Sequence, residues 1–280
     1  MVSGGTPVAV SETVRHLVIA VAISGCAFVP GLPEDDGVED PADPADPGPL
    51  PAPDNAMTPC TVTGAKLCVE FDHAALWTRD ASGLEVIASN VTRQASDLGY
   101  AVLLETMSQI LVAEAPALDI RDAITFEMWI YGDAGIYGNR AHLLDNTSQY
   151  AMSITDAMKL RCGVDNVSID SEQPLTAGWH HVACTYDKSR LRVYVDGDLR
   201  GCKSETKVIP TTGTAGTAIG AKIAGATLSE RFTGQIDNVH VYDRRLSGSN
   251  LCTLAGGDDC EDECPTGGGG PGGGGPGGDD

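Results

Sequence analysis

A chain of 280 residues with a formal charge of −21 and only 5% aromatic residues carries its acidity unevenly. Residues 34–54 hold eight acids and no base and residues 258–280 hold seven acids and no base, whereas residues 56–257 hold 17 bases against 23 acids, a net of −6. No basic stripe is available to neutralise phosphates, which excludes nucleic acid as a partner, and the central segment is long enough to bury one two-sheet core.

In chain order, residues 1–26 read as an export signal. Arg15 and His16 precede the apolar run 17–23, which is followed by Ser24, Gly25 and Cys26. A run of that length suits a signal region and is far short of a membrane span. Ile-Ser-Gly-Cys resembles a bacterial lipobox. The resemblance implies that Cys26 is acylated after cleavage, and that membrane contact is through an N-terminal lipid alone. With Ala27 next, it implies an outer-membrane or cell-surface lipoprotein, facing the periplasm or exposed outside. The alternative is a disordered apolar leader. Residues 27–58 follow as a Pro/Asp-rich linker with PADPADPGPLPAP at its heart. Too polar for a core, it is expected to be a disordered, extended stalk of about 3.1 Å per proline-rich residue.

The folded domain is expected over residues 59–256. Leu67, Val69 and Phe71 alternate as a first strand ending at Asp72. Residues 85–91, 100–104, 109–112, 124–131, 141–144, 150–154, 159–164 and 167–170 read as further short strands. Residues 179–186 and 191–195 then alternate on both sides of a polar break, the pattern of an antiparallel hairpin over a core. Asp196-Gly197 supplies the two positive-φ residues of a tight turn, so another strand returns through residues 198–202. No stretch of ten or more residues has a helical period. Many short strands at close spacing predict an all-β antiparallel two-sheet sandwich. Residues 257–280, ending in GGGGPGGGGPGG, are expected to be a disordered acidic, Gly-rich tail.

Three stretches carry a family resemblance. WHHVACTYD with LRVYVDG, ITFEMWI at 124–130 and FTGQIDNVHVYDRRL at 232–246 occur in the order found in concanavalin A-like jelly rolls of the laminin G-like kind. The resemblance implies a jelly-roll fold. It also implies a recognition module for glycans or extracellular proteins, on a fold that hosts many activities. It suggests calcium, held near the junction of first and last strands, where Asp72, Asp80 and Asp237 are candidates; no other cofactor is indicated. Asp237 has the alternative of hydrogen-bonding nearby backbone.

Nine cysteines leave eight if Cys26 carries lipid, an even number suited to disulfides in an exported protein. Cys162 and Cys184 share face parity with core positions and are expected to pair; Cys60 with Cys68 is the second candidate. Cys202 lies beyond Cys184 across a strand, farther than the ~7 Å a bridge spans between Cα atoms. Zinc at Cys252, Cys260 and Cys264 is the competing reading, in a segment without histidine.

Catalytic patterns are sparse. Glycoside hydrolases on this jelly roll present E-x-D-x-x-E or a near variant, placing two carboxylates ~5 Å apart, and no such motif occurs. Glu127 and Glu114 stand alone and are expected at solvent-facing edges, while His180 and His181 are expected to be structural. The predicted function is non-enzymatic recognition, with a polysaccharide-active hydrolase or lyase, or a structural surface-assembly domain, as alternatives. Candidate ligand residues are Tyr137, Asn139 and Arg140 in the Gly-rich loop 132–140, and Trp77 after the first strand. Tyr137 has the alternative of covering the sandwich edge.

Overall fold

A computed structural model describes residues 62–72, 82–96, 98–133, 135, 140–211 and 215–264. Its strands are β1 (Leu67–Val69), β2 (Val86–Ser96), β3 (Gly99–Val112), β4 (Ile124–Gly132), β5 (Ala141–Asn146), β6 (Tyr150–Ile154), β7 (Leu160–Val164) and β8 (Val167–Asp170). They continue as β9 (Gly178–Tyr186), β10 (Arg190–Val195), β11 (Asp198–Ser204), β12 (Thr217–Ile219), β13 (Lys222–Ala224), β14 (Thr227–Ser229) and β15 (Gly234–Tyr242), and one helix, α1, spans Gly248–Leu254. No helix of the described residues is long and apolar enough to cross a membrane.

The strands run antiparallel in the order β11-β10-β9-β4-β15-β3-β12-β5-β6-β7-β8, with β1 added to β15 and β2 to β3. Between β15 and β3 only three residue pairs match, Gly234 to Ile236 against Leu104 to Val102. The path folds over there into two layers, giving the predicted jelly-roll sandwich. Its far ends close on each other: Glu172 N donates to Arg200 O at 2.7 Å, and Cys162 of β7 is bridged to Cys184 of β9 with Cα atoms 5.6 Å apart. Gly201 sits at this closure, where a Cβ would come within 2.8 Å of Asp170 O.

Period-two patterning explains the core. Ile124, Phe126, Met128 and Ile130 of β4 and Val182, Cys184 and Tyr186 of β9 face inward in one apolar cluster with residues from both layers. The polar break between β9 and β10 is organised by Asp187, whose Oδ1 accepts from Ser189 N (2.9 Å) and Arg190 N (2.8 Å). Asp196 and Gly197 have φ of 55° and 85°, as the turn requires. Glycine at 197 is also demanded by packing, since a Cβ would lie 2.7 Å from Cys260 Sγ.

Several expectations are corrected. β1 ends at Val69, before Asp72. Residues 100–104 and 109–112 belong to a single strand, β3, which bulges over Glu105–Ser108, four residues facing Asn90 of β2; Ser108 Oγ accepts from Glu105 N at 2.8 Å and donates to the Asn90 carbonyl. The outer face of β9 and β10 is not open to solvent. Ala183, Tyr194, Leu199, Tyr242, Leu246 and Leu251 form a second apolar cluster there, beneath α1. The disorder expected from residue 257 onward does not extend over the described part of that segment. Cys260 is bridged to Cys252 and Cys264 to Cys202, and Tyr194 OH donates to Asp262 Oδ1 at 2.6 Å. Cys202 therefore has its partner in the acidic segment, and zinc at Cys252, Cys260 and Cys264 is set aside because those sulfurs are disulfides. Cys68 is disulfide-bonded; Cys60 and the lipobox Cys26 lie outside the described residues. Seven disulfide-bonded cysteines among the described residues are the mark of a protein from an oxidising compartment.

Candidate functional site

A cavity of about 480 Å³ lies on the outer face of β3, between that strand and the β13–β14 hairpin. The hairpin is placed by Asp145 of β5, whose Oδ2 accepts from Ile223 N at 2.7 Å. Leu111, Ile223 and Leu228 give the cleft an apolar surface, while Gln109, Thr227 and Arg231 supply its polar groups. At its flank Glu230 collects three basic groups: Arg140 Nε at 2.9 Å, Lys222 Nζ at 3.1 Å and His142 Nδ1 at 3.3 Å. Burial holds the His142 imidazole down to about 4 despite that carboxylate, with Lys222 and Arg140 opposing a further charge. Burial also raises the Asp145 carboxyl above its usual range. Arg140 is the one residue of the predicted glycine-rich site with a described side chain, and it serves this cluster. Tyr137, Asn139 and Trp77 lie outside the described residues.

A second polar system lies inside the fold. The alternation of β4 turns Glu127 away from the core cluster, but not toward solvent as expected: it is 1% exposed. His181 Nε2 and His240 Nδ1 hydrogen-bond to its two oxygens at 3.1 and 2.5 Å, and His240 Nε2 meets Glu70 Oε1 at 3.2 Å. Burial by itself would raise the Glu127 carboxyl, yet the charge on His240 and the histidine hydrogen bonds bring it down to about 2. Burial likewise opposes charge on His240, and the Glu127 carboxylate outweighs it, raising that imidazole to about 9. Register puts Cys68 directly opposite His240, so Cys68, Glu70 and His240 each bring a donor atom within 4.8 Å of the others. Because Cys68 is in a disulfide, its sulfur is not a thiolate ligand. Glu114 has a structural task too, accepting from Gly216 N at 3.0 Å.

Of the calcium candidates, Asp80 is outside the described residues. Asp237 is fully buried and, among the described residues, its Oδ2 has no hydrogen-bond partner, while its Oδ1 accepts from Asn238 N at 2.8 Å. Burial, with the negative charges of Asp72 and Glu70, raises its carboxyl to about 7 against the pull of backbone N–H groups. An orphaned carboxylate oxygen beside two further acids fits a hard cation. Asp72 Oδ1 accepts from Tyr100 N at 2.8 Å, and Arg93 donates to the carbonyls of Phe71 (2.7 Å) and Asp72.

Of His180 and His181, only His181 is wholly enclosed. His180 Nδ1 lies 2.8 Å from Asp196 Oδ2 and its Nε2 lies 3.1 Å from both the carbonyl and the hydroxyl of Thr176. Acceptors at both nitrogens favour imidazolium, and although burial opposes it, Asp196 raises the His180 value. The arrangement outlines a hydroxyl–imidazole–carboxylate row, but the Thr176 carbonyl competes for Nε2. Asp196 Oδ1 also accepts from His181 N at 3.0 Å, so the group clamps the β10–β11 turn.

Among solved structures, the fold is similar to domain 4 of AbnA, a GH43 extracellular arabinanase from Geobacillus stearothermophilus in complex with arabinotriose. The TM-score is 0.53 at 16% identity, covering 69% of this chain and 98% of that one. It is also similar to the ligand binding domain of botulinum neurotoxin serotype D in complex with N-acetylneuraminic acid (TM-score 0.54, 14% identity, 69% and 50% covered). The binding domain of botulinum neurotoxin DC in complex with rat synaptotagmin II gives 0.55 at 12% identity, with 69% and 51% covered. The chain thus spans nearly all of the arabinanase domain and about half of the neurotoxin domains, and at these identities the likeness establishes the fold. No curated protein sequence matches the chain. The sequence model of the concanavalin A-like lectin/glucanases superfamily matches residues 105–252, which run from within β3 to α1 and take in the cleft, the Asp196 clamp and the Glu127 row. On that match, over more than half of its length, the chain belongs to the concanavalin A-like lectin/glucanases superfamily.

Proposed function

We propose that the protein is a non-enzymatic, lipid-anchored extracytoplasmic recognition module that binds glycans through the cleft over β3. The observation that carries this reading is the cleft's make-up: an apolar surface of Leu111, Ile223 and Leu228 beside the amide of Gln109, the hydroxyl of Thr227 and the guanidinium of Arg231. A pyranose ring presents that mixture, with C–H faces between hydroxyl edges, and the volume falls in the ~300–1,000 Å³ range of ligand sites. None of the lining residues is a carboxylate, whereas a glycosidase needs two at the scissile bond. Similar folds seen with arabinotriose and N-acetylneuraminic acid accord with a sugar ligand; the synaptotagmin complex makes a protein ligand the outcome to test against. Cys26 supplies the anchor in this reading and residues 27–58 the stalk. Calcium, held by Asp237 and Asp72, neutralises the buried carboxylates and stiffens the β1–β15 junction.

The deciding experiment is a glycan array with the purified chain, followed by incubation of each hit with analysis of products. Binding that is lost with Thr227→Ala and Gln109→Ala, without turnover, supports the proposal. Release of shorter sugars makes the protein an enzyme, and an array without hits, alongside capture of an extracellular protein, overturns the glycan reading.

A further inference from the structure

We infer that the cleft takes a saccharide bearing a carboxylate, a uronic or sialic acid unit, with Arg231 as its anchor. This rests on the cleft being the glycan site proposed above.

Among the described residues lining the cleft, Arg231 is the only charged one. One of its nitrogens, NH1, donates to the backbone carbonyl of Ser108. That bond fixes the guanidinium without neutralising it, and an arginine carries five N–H donors. Among the described residues, no carboxylate lies in an ion pair with Arg231; the acids close to the cleft are committed to other groups. Glu230, next in sequence, is shared by Arg140, Lys222 and His142. Asp145 takes the N–H of Ile223, and its burial favours the neutral form. Arg140 and Lys222 share the Glu230 carboxylate, so among the described residues around the cleft Arg231 is the cation left without one, in a segment whose overall balance is negative.

One uncompensated unit charge matches a mono-anion. A carboxylate suits the planar fork of arginine, which accepts two oxygens at once. A phosphate monoester, with close to two charges, would leave one unmatched near Glu230. The apolar surface of Leu111 and Leu228 is left for the ring, and the Gln109 amide and Thr227 hydroxyl for the sugar hydroxyls. A neutral sugar would instead have to desolvate the guanidinium for a weaker hydrogen bond, which costs affinity.

The test uses the full chain and titration calorimetry with four probes: galacturonic acid, its methyl ester, sialyllactose and lactose. The ester keeps the size and removes the charge, so this arm needs no protein variant. The expected result is that at least one acid binds about tenfold or more tighter than its uncharged counterpart, in keeping with a charge-assisted bond. That preference should shrink as salt rises, vanish in Arg231→Gln and survive in part in Arg231→Lys, with thermal unfolding showing both variants folded. Which acid wins identifies a uronate or a sialate. Equal affinity for acid and uncharged probe, or a preference that persists in a folded Arg231→Gln, overturns the inference while leaving glycan binding intact. Failure of all four probes, together with an array without hits, overturns both.

Discussion

Glu127→Gln is the sharpest test of how this fold is held together. The substitution is nearly isosteric, so it opens no cavity, but it removes the charge that both His181 and His240 address at 3.1 and 2.5 Å. His240 then keeps only Glu70, at 3.2 Å. Breaking a buried ion pair by neutralising one partner costs about 3–5 kcal/mol, because the remaining charge is left in a low-dielectric site. For a domain of roughly 200 residues each kcal/mol moves Tm by about 2–4 °C, so the variant should melt some 6–20 °C below wild type near pH 6. The pH profile carries a second signature. Glu127 titrates lower folded than unfolded, so its contribution is present above pH 4.5 and is lost as pH falls toward 2. His240 titrates higher folded than unfolded, so its contribution is complete below pH 6.5 and is lost as pH rises through 9. Wild type should therefore be most stable between about pH 4.5 and 6.5 as far as this pair governs it, and the variant should lose the alkaline limb. Circular dichroism melts from pH 3 to 10 read both effects. A variant within 1 kcal/mol of wild type at pH 6, with an unchanged profile, would refute the reasoning.

Three further outcomes follow from particular groups. Asp237→Asn should stabilise the calcium-free protein above pH 7 by up to about 4 kcal/mol: Asp237 releases its proton at pH 3.8 unfolded but only near 7 folded, so wild-type stability falls over that interval. Millimolar calcium should raise the Tm of wild type and not of the variant, and a calcium-insensitive wild type would count against the ion. Cys264→Ser, opening a bridge with a sequence separation of 62, should cost about 4 kcal/mol on the chain-entropy estimate, against about 2.5 kcal/mol for Cys260→Ser with its separation of 8; denaturant melts that fail to rank them this way would mean the acidic segment adds little constraint. Cys26→Ser should yield a soluble, non-acylated product by mass spectrometry and membrane fractionation, and unchanged fractionation would dismiss the lipid anchor.

What could be read from the sequence was what local chemistry dictates. The β9–β11 meander announces itself, because alternation sets each face and Asp196-Gly197 fits only a left-handed turn. The Cys162–Cys184 bridge follows from the same parity, since β7 and β9 both point those side chains into the core. Helix α1, with seven residues, is too short for a 3.6-residue period to emerge; its one visible cue is Ser247 with Asn250 three residues on, which forms a capping box. The polarity of Glu105–Ser108 looks like a break in β3 but belongs to a bulge rather than a turn. Composition misled most at residues 258–264. Acids and glycines argue for solvent, but Cys260 and Cys264 are covalent signals that outrank them.

Function was harder to read because it is assembled across distance. Glu127 meets His181 54 residues away and His240 113 away, separations that no motif encodes. Gln109 and Arg231, which share the cleft, are unremarkable in their own segments. The layering explains why the cleft lies where it does. The outer face of β9 and β10 is covered by α1 and by a segment fastened through Cys202–Cys264 and Cys252–Cys260. The outer face of β3 and β5 is overlaid by a hairpin of two three-residue strands, β13 and β14, to which Asp145 contributes a side-chain acceptor. The short hairpin covers Ala218 and Asp145 but leaves Leu111 and Gln109 of β3 partly open. The chemically mixed opening thus lies away from the disulfide-fastened face, and a residue exchange in the hairpin can retune the cleft without touching the core.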